Sequence, residues 1–188
     1  MSEKVFVLTG NTGTGKTTVA NYLADFYQVP KVVTHTTRLP REGEQNGIDY
    51  YFETDASFET MHYLERVEYN QQKYGSSYEG LELAWQKNQL ITIVLDTAGA
   101  VTYARELGDK AVIIFMSVTN EKELHDRLIE RGDNAAMIEK RLHSAEFARD
   151  LNVPEPLQGI AHVVLNDEWS DTKHEIDQII QDVINTKR

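Results

Sequence analysis

The sequence predicts an α/β fold: a parallel sheet flanked by helices, with a small subdomain inserted into it. Three observations carry that reading. Apolar runs of four or five residues recur along the chain, helical apolar spacing follows each of them, and a glycine-punctuated, aromatic-rich stretch interrupts the alternation between about residues 34 and 80. Strands that are apolar throughout and separated by helices belong to parallel sheets covered on both faces.

The run Val5-Phe6-Val7-Leu8 predicts the first buried strand, and Lys16 to Tyr27, with Val19, Leu23 and Phe26 at helical spacing, the first helix. The pattern repeats with Ile91 to Leu95 before a helix from Ala98 to Leu107, and with Ala111 to Phe115 before one from Glu121 to Arg131. A short run, His162-Val163-Val164-Leu165, precedes a closing amphipathic helix that carries Ile176, Ile179, Ile180 and Val183. In the interrupting stretch, Pro40, Gly43, Gly47 and Gly75 separate short segments rich in tyrosine and phenylalanine. Trp85 and Trp169 are expected to pack, and His62, His125, His143, His162 and His174 are too scattered to form a metal cluster.

Composition removes several function classes. The 188 residues, 40% hydrophobic, suit one domain. With 30 acidic against 19 basic side chains the net charge is −11, which repels polyanions and disfavours nucleic acid and anionic membrane surfaces. An anionic ligand therefore needs a local positive site. The absence of cysteine excludes disulfides and thiolate metal sites, the N-terminal apolar run is too short for a signal peptide, and no stretch approaches the roughly 20 apolar residues of a membrane span. A cytoplasmic protein, monomer or homodimer, is expected.

The strongest chemistry lies in Gly10-Asn11-Thr12-Gly13-Thr14-Gly15-Lys16-Thr17, followed by Thr18, which matches G-x-x-x-x-G-K-[ST] between a predicted strand and a predicted helix. Glycines let backbone amides turn inward around a polyphosphate, Lys16 supplies a point charge, the Thr17 hydroxyl can ligate Mg²⁺, and the helix adds its N-terminal dipole. Binding of a nucleoside triphosphate follows.

What is done with it turns on Leu95-Asp96-Thr97-Ala98-Gly99. An Asp-x-x-Gly at a strand end suits a GTP-binding switch, a magnesium-ordering carboxylate of a phosphate-transferring kinase, or a simple helix cap. Lys16 and Asp96 are 80 positions apart, too far for a switch, and no Asn-Lys-x-Asp segment is present to read guanine. The intervening Arg38-Leu39-Pro40-Arg41 sets two guanidinium groups three apart in a stiffened loop, and such forks match phosphate oxygens. A second phosphate opposite the first describes a kinase.

Here the chain resembles the guanylate kinase family over essentially its whole length. The family's H-T-T-R-x-P-R-x-G-E-x-x-G-x-D-Y reads His35-Thr36-Thr37-Arg38-Leu39-Pro40-Arg41-Glu42-Gly43-Glu44-Gln45-Asn46-Gly47-Ile48-Asp49-Tyr50. The resemblance implies a P-loop NTPase-type core (1–33, 81–126 and 150–188), a monophosphate-binding subdomain over about 34–80 and a helical lid over about 127–149. It implies that Arg38, Arg41, Tyr50 and Tyr74 hold the phosphate of GMP, and that Glu68, with Thr34 and Ser76, reads the guanine edge. Arg127, Arg131 and Arg141 resemble the family's lid arginines, Asn166 sits in a V-x-N-D-like stretch near the adenine of ATP, and Asp96 with Thr17 would hold Mg²⁺. The implied reaction is phosphoryl transfer from ATP to GMP, and to dGMP.

Three departures stand out. Thr34 replaces a serine, the segment from Glu68 to Tyr74 is a few residues shorter than usual, and the family's L-D-x-D-x-Q-G shrinks to Leu95-Asp96-Thr97-Ala98-Gly99, losing a second aspartate that faces the base. One charged hydrogen bond fewer lowers base discrimination about ten- to a hundredfold. A same-fold kinase for another or broader acceptor, and a non-catalytic binding module of guanylate-kinase-like fold, therefore stand beside the guanylate kinase reading.

Overall fold

The computed structural model describes residues 2–69, 71–120, 122–130 and 135–185. In chain order the elements are β1 (Lys4–Thr9), α1 (Lys16–Tyr27), β2 (His35–Thr36), β3 (Tyr51–Phe52), α2 (Asp55–Phe58), β4 (Tyr63–Tyr69), β5 (Gln72–Ser77) and α3 (Tyr78–Trp85). They continue with β6 (Leu90–Val94), α4 (Thr97–Leu107), β7 (Ala111–Ser117), α5 (Lys122–Glu130), α6 (Ala135–Leu142), α7 (Ala145–Asp150), β8 (His162–Leu165) and α8 (Trp169–Asn185).

Four strands pair in parallel in the order β6-β1-β7-β8. Their apolar runs serve both faces, because successive side chains of a strand point to opposite sides. Phe6 and Leu8 pack with Val19 and Leu23 of α1 and with Ile176 and Ile180 of α8. Val5 and Val7 pack instead with Leu81 of α3 and with Ala100 and Tyr103 of α4. Each of the Val, Leu, Ile and Phe side chains among them, fully buried, contributes about 1.5–3 kcal/mol.

Three apolar positions depart from the sequence reading. Phe26 is 74% exposed. It lies in the last turn of α1 against the Tyr22 ring, and Gln28, with φ +55°, turns the chain so that Val29 enters the core instead. Val163 and Leu165 are also exposed, because β8 is an edge strand and only Val164 of its run is buried.

A second sheet, β3-β2-β5-β4, lies within the stretch where the alternation fails. β4 and β5 form an antiparallel hairpin whose register pairs Val67 with Tyr74 and Glu65 with Ser76. At its turn Gln71 adopts φ +60°. His35, buried on β2, bridges Glu53 (2.9 Å) and Ser77 (2.8 Å) through its two ring nitrogens, which ties β2 to β5 and to the loop after β3. Among the described residues, no helix is long and apolar enough to cross a membrane.

Candidate active site

The loop from Gly10 to Gly15 joins β1 to α1. Gly10 has φ +116°, and a Cβ there would lie 2.2 Å from the Met116 carbonyl oxygen of β7. Gly15 has φ +92°, and its Cβ would meet Asn166 Nδ2 at 2.1 Å. Both positions therefore require glycine. Asn166 donates to the Thr14 carbonyl (3.0 Å) and accepts from the Thr172 hydroxyl of α8 (2.9 Å), so it staples the loop to the far end of the chain. Thr14 turns inward, buried, and donates to the Asn11 carbonyl. Lys16 donates to the carbonyls of Gly10 (2.7 Å) and Asn11 (2.6 Å), which holds its ammonium in the mouth of the loop. With no side-chain cap on α1, the helix presents its amino end to the loop.

A cavity of about 870 Å³ opens over this loop, lined by Lys16, Thr17, Thr18, Asp96, Arg127 and Asn166 among others. Gly10, Asn11, Thr12, Gly13 and Gly15 also line it. Asp96 caps α4 by accepting from the Gly99 amide (2.7 Å), and its other oxygen pairs with Arg149 of α7 (2.9 Å). Arg149 also donates to Asp150 (2.7 Å), which in turn accepts from the buried Thr97 hydroxyl. Asn11 reaches α7 from the other side, donating to the Phe147 carbonyl (2.9 Å). Arg127 donates to the Asn166 carbonyl (2.8 Å) and pairs with Glu123 one helical turn away (3.3 Å), the helical pair that their spacing of four predicts. Arg131 lies outside the described residues, as does the side chain of Arg141, whose backbone belongs to α6.

The two-arginine loop sits on the second sheet. Arg38 grips Glu44 with both terminal nitrogens (2.8 and 2.9 Å) and lies over the rings of Tyr50 (5.4 Å) and Phe52 (5.8 Å). Tyr74 is in reach of the same guanidinium, and its ring meets that of Tyr50 at 6.3 Å. The Arg38 contacts, then the Arg41 amide, hold the Glu44 carboxyl down to about 2. The Arg41 guanidinium is exposed and has no hydrogen-bond or ion-pair partner among the described residues. Arg38, Tyr50 and Tyr74 are thus brought together with a second, unengaged arginine beside them. Thr34 leads into β2 and accepts from the Tyr51 amide through its carbonyl (2.8 Å).

Glu68 does not join Ser76. It is exposed on β4 opposite Lys73 and lines a separate depression of about 230 Å³ with Phe58, Arg66 and Val67. The carboxylate facing Ser76 belongs to Glu65, its cross-strand partner, at 3.4 Å. Opposed residues of an antiparallel pair share a face, so the hairpin register decides the matter. Counting from Glu65 lengthens the segment to Tyr74 by three residues, which accounts for its apparent shortness. Burial, followed by the negative charge of Asp96, pushes the Glu65 carboxyl up to about 7, against the opposing hydrogen bond from Ser76. Gly99, the last residue of the shortened segment, would touch Glu65 Cγ at 3.4 Å if it carried a Cβ. The two halves of the site meet there. Counting back from Tyr74-Gly75-Ser76 through a two-stranded hairpin would have found Glu65; nothing in the sequence pairs Arg149 with Asp96, 53 positions away.

Comparison with known proteins gives a consistent picture. The family described as Guanylate kinase matches residues 2–183. The guanylate kinase of Protochlamydia amoebophila is 37% identical over 173 residues, covering 89% of this chain and 84% of the relative. That of Bacteroides thetaiotaomicron is 30% identical and covers 98% and 92%. The crystal structure of guanylate kinase from Anaplasma phagocytophilum superposes with a TM-score of 0.65 at 23% identity, over 96% of this chain and 85% of that one, a likeness of fold.

Proposed function

Because the chain belongs to the guanylate kinase family, we propose that it transfers the γ-phosphoryl group of ATP to GMP, giving ADP and GDP, through the residues assembled around the phosphate loop and the second sheet. The observation that carries the reading is the intact loop itself, with Lys16, Thr17 and Asp96 facing one cavity. A non-catalytic module has no need of that set.

The acceptor phosphate oxygen is anionic near neutral pH, so the transfer needs no general base; positioning and charge neutralisation supply the rate. Lys16 exchanges its two loop carbonyls for phosphate oxygens of ATP. Arg41, unengaged, and Arg38, preset over Tyr50, hold the acceptor phosphate with the Tyr50 and Tyr74 hydroxyls. Arg131 and Arg141 are assigned to the moving phosphoryl group upon lid closure, and Arg127 and Asn166 to the ATP side. The Thr17 hydroxyl and the Asp96 carboxylate are hard oxygen donors on one cavity wall, which suits Mg²⁺. Held there, Mg²⁺ would supply neutralisation of phosphate charge. The Asp96 oxygen paired with Arg149 is half-exposed and weakly held, so it would be free to exchange that partner.

For the base we assign Glu65, in place of Glu68, as acceptor of the guanine N–H groups, with Ser76 and Thr34 beside it. The soluble nucleotide substrates suit a cytoplasmic setting. A second reading, a broader acceptor range, is favoured by the shortened Leu95-Asp96-Thr97-Ala98-Gly99, which offers one carboxylate where the family has two. Release of ADP from Mg·ATP, measured with GMP, dGMP, IMP, AMP, CMP and UMP, separates the two. Preferential turnover with GMP is expected; equal turnover with AMP or a pyrimidine monophosphate would transfer the assignment to the second reading.

A further inference from the structure

Among the described residues, four buried side-chain polar atoms have no hydrogen-bond partner: Thr9 Oγ1, Tyr63 Oη, Glu79 Oε2 and Tyr103 Oη. Tyr103 differs from the others in its neighbours. It is fully buried on α4 within the apolar cluster between that helix and the sheet, yet its hydroxyl approaches the Ser76 hydroxyl and feels the charge of Glu65. A phenylalanine would fill the same apolar space without stranding a hydroxyl, and an orphaned buried hydroxyl weakens a fold.

The Glu65 side is equally unfinished. Among the described residues its carboxyl, largely buried, accepts one long hydrogen bond, from Ser76 at 3.4 Å. Ser76 has a single hydroxyl proton to give Glu65 and lone pairs left to accept another, and the Tyr103 hydroxyl beside it makes no well-formed hydrogen bond among the described residues. The three groups come from α4, β5 and β4, and they stand in the order that a chain of donation requires.

We propose that Tyr103 is a positioning residue of the acceptor-base site: when the base docks, its hydroxyl donates to Ser76, whose own proton is then fixed on Glu65, aligning that carboxylate to accept the N–H groups of the base. Chained hydrogen bonds polarise one another, so the relay strengthens the acceptor end at the moment the ligand arrives. In this chain Tyr103 supports from behind a carboxylate that lacks a second aspartate alongside. The inference rests on the assignment of Glu65 to the base.

The test compares Tyr103→Phe, Glu65→Gln and Ser76→Ala by steady-state kinetics with GMP and ATP and by thermal melting. Tyr103→Phe is expected to raise KM for GMP about tenfold with KM for ATP unchanged, while the unliganded protein melts at the same temperature or higher. Added to Ser76→Ala, it is expected to cause no further rise. An unchanged KM for GMP in Tyr103→Phe, alongside a raised one in Glu65→Gln, overturns the relay and leaves the base site standing. If Glu65→Gln is also without effect, the base-site assignment itself fails and the relay falls with it. A lower melting temperature with both KM values raised marks the hydroxyl as structural and overturns the proposal.

Discussion

The phosphate-loop half and the two-arginine half of the site are built in opposite ways. In the first, eight consecutive residues from Gly10 to Thr17 supply most of the proposed donor side, rooted on parallel strands that are covered on both faces. In the second, Arg38, Tyr50, Glu65, Tyr74 and Ser76 come from separate turns and strands, and only the register of short strands brings them together. One half is a local motif on a rigid core; the other is a tertiary arrangement on a small sheet. Substitutions in the first half should therefore act on chemistry alone, whereas those in the second should split between binding and register.

The largest effect is expected for Lys16→Ala, which removes the point charge from the donor phosphates and should lower kcat/KM by about 10³-fold or more with little change in melting temperature. Near-normal ADP release from this variant would break the comparison at its stronger side. Arg41→Ala, which removes a guanidinium with no hydrogen-bond or ion-pair partner among the described residues, should cost about 10²-fold in kcat/KM for GMP and leave ATP binding intact, as read by ATP titration. Glu65→Gln should raise KM for GMP about ten- to a hundredfold while Glu68→Gln stays within about twofold. The reverse ranking would mean that the hairpin register is wrong by three residues.

Acidity sharpens the contrast further. The Glu65 carboxyl titrates at about 7 in the folded chain against 4.5 when unperturbed. Between those values the folded state binds the extra proton, so on this account stability falls as pH rises from about 4.5 through 7, by up to about 3 kcal/mol. Melting curves across that window should slope downward in the unsubstituted protein and flatten in Glu65→Gln; equal slopes would sink the idea. The smallest effect is reserved for the Arg149–Asp96 pair taken by itself. It is about 40% exposed on both sides, so the coupling in a double-mutant cycle of Arg149→Gln with Asp96→Asn, which cancels the separate loss of the Arg149–Asp150 contact, should be less than about 1 kcal/mol, less still at high salt.

This division also explains what could be read from sequence. The parallel strands, the helices between them and the phosphate loop were legible because each is a contiguous pattern with one period or one motif. β8 was legible as a strand but not as an edge, since strand order, which leaves Val163 and Leu165 exposed, is not written in the run itself. Phe26 fits the helical spacing and fails only because the chain reverses at Gln28. The reading of Glu68 as the base carboxylate rests on a count of residues along the chain, which is blind to which carboxylate stands across from Ser76. The Arg149–Asp96 contact left no trace in either neighbourhood.

The Asn166 staple takes the shape of the phosphate loop out of purely local control. The amide that braces the Thr14 carbonyl stands 152 residues away along the chain, and the threonine that orients that amide lies six residues beyond it. The eight-residue motif on its own therefore lacks one of the contacts that shape it, and gains that contact only when β8 and α8 dock against the sheet. Loop geometry thus becomes a readout of long-range closure as well as of the motif.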